Sequence, residues 1–230
     1  MIQIQQLTKE FSGKCALDIQ ELTFQQGECI GIVGNNGAGK TTLFRTVLDL
    51  LPPSTGSVEI FGQSVKNSDH WKTGVHAFVD EGFLIDFLKP IEYLEFIGKT
   101  IGAGKQSVAQ LLEEYSEFVN DDIRENRKMI RELSTGSKVR VGVLSTLLGN
   151  PKLIILDEPF AHLDPTSQSR LMKMVRSKAE EGVTMILSSH NLQSVVDVCS
   201  RIVLIEAGQV KMDVRTDSDT LEALEAYFVA

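Results

Sequence analysis

The sequence lacks the features that mark secreted, membrane-spanning and disulfide-rich proteins. Its 230 residues include only three cysteines, Cys15, Cys29 and Cys199. This odd, scattered set predicts neither a disulfide framework nor a metal knot and fits a reducing, cytoplasmic setting. No basic stretch followed by an apolar one opens the chain, so no signal peptide is expected. Apolar runs such as 153–156 fall far short of the ~20 residues that cross a bilayer, so any membrane role should come through a partner.

An excess of positive charge is also missing. Lysine and arginine number 23 against 31 aspartates and glutamates, a formal net charge of −8. This balance argues against binding nucleic acid or anionic lipid through a broad basic surface. Hydrophobic residues at 42% and charged residues at 23% are ordinary for a soluble chain, which excludes disordered and collagen-like classes.

Strand-like and helix-like segments alternate along the chain. Residues 1–33 are predicted to be rich in strands, and the apolar run 29–33 is typical of a strand buried on both faces. Residues 83–150 carry apolar side chains at helical spacing and predict a helical insertion, and alternation returns from residue 153. A mainly parallel sheet covered by helices is therefore expected, an α/β fold. Other helices are predicted from Lys40 to about Leu50, from Pro165, over 191–199 and from about residue 217.

The stretch from Gly34 to Thr42 matches G-x-x-x-x-G-K-[ST] and lies between a buried strand and a helix. Its glycines let backbone N–H groups turn around a phosphate, and the helix N-terminus adds positive potential. Lys40 is expected to place its charge on the β- and γ-phosphates, and Thr41 to offer its hydroxyl to Mg²⁺. The predicted phosphate-binding residues are Asn35, Asn36, Gly37, Ala38, Gly39, Lys40, Thr41 and Thr42.

A second motif ends the apolar strand 153–156 with Asp157 and Glu158. A parallel strand carries such carboxylates to the edge of the sheet where ligands bind in open α/β folds. Asp157 is predicted to hold Mg²⁺ through water, and Glu158 to orient or deprotonate the attacking water. Together the two motifs predict a nucleoside triphosphatase without fixing its class.

The stretch Leu133-Ser134-Thr135-Gly136-Ser137 narrows the class, because it lies between the two motifs and before a predicted helix. It resembles the L-S-G-G-Q signature of ATP-binding cassette (ABC) subunits, the motor domains of ABC transporters. Leu133, Ser134 and Gly136 match this signature, whereas Thr135 and Ser137 depart from it. Lys138, Arg140 and Gly142 are similar to the start of the following helix in the export-type subfamily.

The resemblance covers nearly the whole chain and implies a particular architecture. A P-loop NTPase core with a mainly parallel sheet and an N-terminal antiparallel β subdomain would comprise residues 1–82 and 151–230. A helical subdomain carrying the signature would comprise residues 83–150. The whole of 1–230 is then expected to form a single ABC ATPase domain.

The resemblance also implies roles for single residues. Phe11 lies where the family stacks an aromatic ring on adenine, and Ala16 where a small apolar residue lies beside the base. Ser134 and Gly136 correspond to signature residues that contact ATP. His190 follows a core strand and matches the switch histidine at the γ-phosphate. The stretch 161–164 resembles the D-loop, with His162 in place of its usual alanine.

The Q-loop departs from the family pattern. Where the family has glutamine, between the core and the helical insertion, this chain has Asp80, with Glu81 as an alternative alignment. A carboxylate is a stronger Mg²⁺ ligand than an amide, so Asp80 is a predicted metal residue that reaches the ion directly or through water. The alternative is that Asp80 faces solvent and differs from the family because of its membrane partner.

The resemblance implies a Mg²⁺-dependent ATPase subunit at the inner face of the cell membrane. Two copies would close head to tail around ATP and drive a separate transmembrane permease, and the signature helix favours export. Three alternatives are weighed: a soluble ABC ATPase acting on nucleic acid or ribosomes, a GTPase switch, and a regulatory cassette that binds ATP without hydrolysing it. The negative charge argues against the first, the lack of an N-K-x-D stretch against the second, and Glu158 with His190 against the third.

Overall fold

The structure is a computed structural model that describes residues 1–229, in which ten strands form two sheets. The strands are β1 (Ile2–Phe11), β2 (Lys14–Phe24), β3 (Cys29–Val33), β4 (Thr55–Ile60), β5 (Gln63–Ser64), β6 (Val75–Phe78), β7 (Leu153–Leu156), β8 (Thr184–Ser189), β9 (Arg201–Glu206) and β10 (Gln209–Arg215). The helices are α1 (Lys40–Val47), α2 (Pro90–Thr100), α3 (Lys105–Glu114), α4 (Asp121–Glu125), α5 (Thr135–Thr146), α6 (Pro165–Glu180), α7 (Leu192–Val196) and α8 (Thr220–Val229).

The smaller sheet is antiparallel, with strand order β2-β1-β4-β5. Side chains on β1 alternate, since Ile2 and Ile4 are buried while Gln3 and Gln5 are exposed. Such alternation is what a sheet with one solvated face requires. The buried face packs with α1 and with one face of the larger sheet in a shared apolar core.

The larger sheet has strand order β10-β9-β3-β8-β7-β6. The pairs from β9 to β6 are parallel, and only β10 runs antiparallel to its neighbour. Strands β3, β7 and β8 are buried along their whole length, which explains the unbroken apolar runs of β3 and β7. The expected α/β fold with a mainly parallel sheet and an antiparallel N-terminal sheet is confirmed.

Helices α2 to α5 lie between β6 and β7 in the chain and share the second apolar core, on the other face of the large sheet. The predicted helical region is thus present, but three helix ends elsewhere differ from expectation. Helix α1 ends at Val47 because Asp49 adopts φ +54° and the Leu50 N–H reaches back to the Arg45 carbonyl at 2.9 Å. Helix α7 spans only Leu192–Val196, and α8 begins at Thr220.

Candidate functional site

Four adjacent strands carry the predicted site residues to one edge of the large sheet. The register pairs Val33 of β3 with Ser189 of β8, Leu187 of β8 with Leu156 of β7, and Leu156 with Phe78 of β6. Because these strands are parallel, the residues that follow them emerge side by side. The sheet therefore brings the phosphate-binding loop next to the segments that follow β6, β7 and β8.

The phosphate-binding loop, residues 34–42, forms a tight turn that leads directly into α1. The Ala38 N–H donates to the Asn35 carbonyl at 3.0 Å. Gly39 caps α1 with φ +113°, and a Cβ there would lie 2.8 Å from the Ala16 carbonyl oxygen, so only glycine fits. A cavity of about 200 Å³ opens over the loop, lined by Ala16, Asn36, Gly37, Ala38, Gly39, Lys40, Thr41, Thr42 and Glu158.

Lys40 is nearly buried, with 6% of its surface exposed. Its ammonium donates to the Gly34 carbonyl at 2.7 Å and lies 3.4 Å from both the Asn35 carbonyl and Glu158 Oε1. The cation is thus held at the floor of the cavity by the loop and by one carboxylate. A phosphate entering the cavity would meet this charge in surroundings of low dielectric, where the attraction is strong.

Two of the three predicted metal residues, Thr41 and Asp157, lie in contact. Thr41 Oγ1 donates to Asp157 Oδ2 at 2.5 Å, and Ser188 donates to Asp157 Oδ1. Burial raises the pKa of Asp157, while the hydrogen bonds from Ser188 and Thr41 oppose that shift. A hydroxyl beside a carboxylate supplies the oxygen ligands that Mg²⁺ prefers, so this donor set fits the ion. Sequence reasoning missed Ser188, although its place at the end of the strand next to β7 could have indicated it.

Glu158 and His190 also meet in the structure. Glu158 Oε2 lies 2.8 Å from His190 Nδ1 and accepts the His190 backbone N–H at 3.2 Å. The Glu158 N–H donates to Ser188 Oγ at 2.8 Å, and Glu158 adopts φ +49°. This left-handed conformation is costly for a residue other than glycine and is typical of functional sites. The predicted catalytic residues Lys40, Glu158 and His190 are therefore brought together.

Ser134 and Gly136 lie elsewhere, in a second cavity of about 470 Å³. Its lining residues, none of which lines the first cavity, are Asn120, Ser134, Thr135, Gly136, Ser137, Arg140, His162, Leu163 and Asp164. A Cβ at Gly136 would lie 2.6 Å from the His162 carbonyl oxygen, so glycine is what lets α5 approach the D-loop. The signature and the D-loop thus form one wall.

Arg140 joins the two halves of that wall. Its guanidinium donates to the Phe118 carbonyl at 2.7 Å and lies 3.1 Å from Asp164 Oδ2. Asp164 caps α6 by accepting the Ser167 N–H at 3.0 Å. Sequence reasoning places Arg140 only at the start of a helix, because no local pattern reveals contacts with residues 22 and 24 positions away.

The structure gives both carboxylate oxygens of Asp80 a partner within the chain. Its Oδ2 accepts from Arg45 Nη2 of α1 at 2.7 Å, and its Oδ1 accepts the Gly82 N–H at 2.6 Å. Both carboxylate oxygens are therefore hydrogen-bonded, and neither of these partners is Thr41 or Asp157. A contact of Asp80 with Mg²⁺, directly or through water, stays a prediction.

The two residues predicted to lie beside the base, Phe11 and Ala16, differ in their position relative to the phosphate-binding cavity. The ring of Phe11 ends β1, is 46% exposed, and has the Lys9 ammonium 5.2 Å from its centroid. Ala16 lines the first cavity, whereas Phe11 does not. Stacking on a base remains a prediction for Phe11.

Comparison with known proteins now decides the family. A family model described as ABC transporter matches residues 17–161, more than half of the chain. The chain belongs to the ABC transporter family. It is an ABC ATPase domain and an ATP-binding subunit, as the resemblance implied.

Two curated relatives illustrate this membership of the ABC family. The chain is 31% identical to the bacitracin transport ATP-binding protein BcrA of Bacillus licheniformis, over 94% of this chain and 70% of that protein. It is 28% identical to the Nod factor export ATP-binding protein I of Cupriavidus metallidurans, over 91% of this chain and 69% of that protein.

A solved ABC structure shares the fold. The dimeric post-hydrolysis structure of the ATP-binding cassette MJ0796, bound to ADP and Pi, superposes with a TM-score of 0.84 at 21% identity. That match covers 95% of this chain and 100% of the other.

None of the helices within residues 1–229 has the length and apolarity that a membrane span requires. The same residues contain no cluster of three or more histidine, cysteine or acidic side chains placed to bind a metal.

Proposed function

We propose that this chain hydrolyses Mg-ATP in a head-to-tail dimer of two copies and so drives a separate transmembrane subunit. One observation carries the proposal: the phosphate-binding cavity and the signature cavity share no residue. Ser134 is exposed at the N-terminus of α5, where its hydroxyl can face a ligand bound to another molecule. A second copy would complete each site, with ATP between the phosphate-binding loop of one and the signature of the other.

The residues of one copy divide the chemistry among them. Lys40 holds the β- and γ-phosphates through its ammonium, and Thr41 with Asp157 would hold Mg²⁺, which neutralises phosphate charge when bound. Glu158 accepts a proton from the attacking water. His190 keeps the Glu158 carboxylate in place through Nδ1 and presents its other ring nitrogen toward the γ-phosphate. Across the interface, Ser134 and the α5 dipole add a donor and positive potential.

The same proposal divides the chain into two subdomains. Residues 1–82 and 151–230 would form the nucleotide-binding core and 83–150 the helical subdomain, within one ABC ATPase domain spanning 1–230.

Large apolar side chains at Leu50, Phe83 and Phe87 are exposed, and the first two line an apolar groove of about 350 Å³. This groove is available to the transmembrane subunit, which would hold the chain at the cytoplasmic face of the membrane.

The names of the two relatives support transport, with export as its direction. One relative is a bacitracin transport protein and the other a Nod factor export protein. An exporter subunit is accordingly proposed for this chain, and the cargo would be chosen by the transmembrane partner.

The test is ATP-dependent dimerisation of a Glu158→Gln chain. A neutral amide cannot accept the proton from water, so ATP should remain bound and a closed dimer should accumulate on size-exclusion chromatography. A Glu113→Gln chain, altered at an exposed position of α3, serves as the matched control and should turn ATP over like the wild type. Wild-type turnover in Glu158→Gln, or a monomer at saturating Mg-ATP, would contradict the proposal.

A further inference from the structure

The signature of this chain contains a buried hydroxyl where the family has glutamine. Ser137 is 2% exposed, and its Oγ lies within hydrogen-bonding distance of three polar side chains. Asn120 Nδ2 is 2.8 Å away, Asp122 Oδ2 is 2.9 Å away, and Ser134 Oγ is 3.0 Å away. The signature serine is therefore linked to α4 and its N-cap through one residue.

The direction of each hydrogen bond follows from the hydrogens available. The Asp122 carboxylate accepts only, so the single hydroxyl hydrogen of Ser137 must go to Asp122. Ser137 Oγ then accepts from the Asn120 amide and from the Ser134 hydroxyl. The hydroxyl hydrogen of Ser134 is therefore used within the chain, and its oxygen also accepts the Ser137 backbone N–H at 3.2 Å.

An ion pair lies at the end of this series of hydrogen bonds and keeps Asp122 an acceptor. Lys128 Nζ lies 2.8 Å from Asp122 Oδ1. Its hydrogen bond, and that of Ser137, hold the pKa of the Asp122 carboxyl below its usual range. An ionised acceptor polarises the Ser137 hydroxyl and makes its oxygen a better acceptor for Ser134.

We infer that Ser137 and Asp122 are positioning residues that hold the Ser134 hydroxyl hydrogen inward, so that Ser134 must turn away from Ser137 before it can donate to the γ-phosphate of ATP on another copy. This inference rests on the proposed role of Ser134 across the dimer interface. The inward bond competes with the phosphate and raises the ATP concentration needed for closure. The signature therefore restrains its own dimerisation.

The experiment compares Ser137→Ala with its parent in the full-length Glu158→Gln background. The ATP concentration at half-maximal dimer is measured by size-exclusion chromatography with light scattering. Loss of one ordinary hydrogen bond from the open state should lower that concentration about two- to tenfold. In this variant the Ser134 hydroxyl still accepts the backbone N–H at position 137, so the cap of α5 is kept.

Two further variants separate positioning from a general effect on the fold. In a Ser134→Ala background, Ser137→Ala should produce no additional shift, because there is no hydroxyl left to release. Ser145→Ala is the matched control, since this serine lies on the same helix and its hydroxyl donates to the Gly142 carbonyl at 2.7 Å. It should leave the ATP requirement unchanged.

Asp122→Asn offers a second route should Ser137→Ala fail to fold. An amide can donate to Ser137, which lets Ser137 donate to Ser134 and frees the Ser134 hydrogen, so the same downward shift is expected. Asp121→Asn, a change at the exposed neighbour, is its control.

An unchanged or raised ATP requirement, or an equal shift without Ser134, overturns the inference alone. Absence of any ATP-dependent dimer in the Glu158→Gln parent overturns the proposed function together with it.

Discussion

Replacing Lys40 with alanine removes the one side-chain cation among the described residues that line the phosphate-binding cavity. The ammonium now donates to the Gly34 carbonyl at 2.7 Å and lies 3.4 Å from Glu158 Oε1. The substitution therefore acts in two ways. It deletes a donor to the phosphates, and it leaves a buried carbonyl without its side-chain partner.

Both effects have a calculable size. A hydrogen bond to a charged group contributes about 1.5–3 kcal/mol, which corresponds to about 10- to 150-fold weaker binding of the nucleotide. An unsatisfied buried carbonyl costs about 1–3 kcal/mol of stability. For a chain of this length each kcal/mol lowers Tm by about 2–4 °C. The variant should therefore remain folded at 20 °C while losing most of its affinity.

Isothermal titration calorimetry with a non-hydrolysable ATP analogue and Mg²⁺ measures the first effect, and thermal unfolding measures the second. Lys173→Ala, a change at an exposed lysine of α6, should leave both quantities at their wild-type values. Wild-type affinity for the analogue in a folded Lys40→Ala chain would refute the assignment of residues 34–42 to phosphate binding.

Two further predictions concern the acidic residues of the site. Asp157→Asn should raise the Tm of the nucleotide-free chain at pH 8. Burial raises the pKa of Asp157, so the charged carboxylate destabilises the folded chain at pH values above the ordinary pKa of an aspartate. The gain should shrink as the pH falls toward 4, and Mg²⁺-dependent stabilisation by ATP should be lost; a Tm difference that does not change with pH would contradict this. Asp80→Asn should leave the Mg²⁺ dependence of ATPase activity unchanged, because Asp80 is bound to Arg45 and Gly82. A shifted Mg²⁺ curve would return Asp80 to the metal site.

The motifs at the carboxyl ends of strands could be predicted from the sequence, because there the residues that form the strand and the residues that bind the ligand follow one another in the chain. A buried strand followed by a glycine-rich turn and a helix predicts the phosphate-binding loop, and the structure has this loop at residues 34–42. The strand 153–156 likewise carries Asp157 to the same edge. Parallel pairing then explains why His190, which follows a third strand, lies beside Glu158.

The contacts that the sequence could not reveal join segments far apart in the chain. Arg45 and Asp80 are 35 positions apart and meet at a half-exposed surface, so neither periodicity nor burial indicates their pairing. The contacts of Ser137 depend on how α4 packs against the start of α5. A hydroxyl at a helix start predicts a cap, whereas the charged partner Asp122 becomes visible only in three dimensions.

The central claim, that each ATP site is built from two copies, is tested most directly by mixing two inactive chains. A Ser134→Arg chain and a Lys40→Ala chain are each expected to lack ATPase activity. Their heterodimer has one site that lacks both residues and one site that has both. In an equal mixture, half of the dimers carry one intact site, so activity should recover to about a quarter of the wild-type rate if the sites act independently. No recovery, with heterodimers demonstrated by differential tagging, would contradict a site shared between two copies.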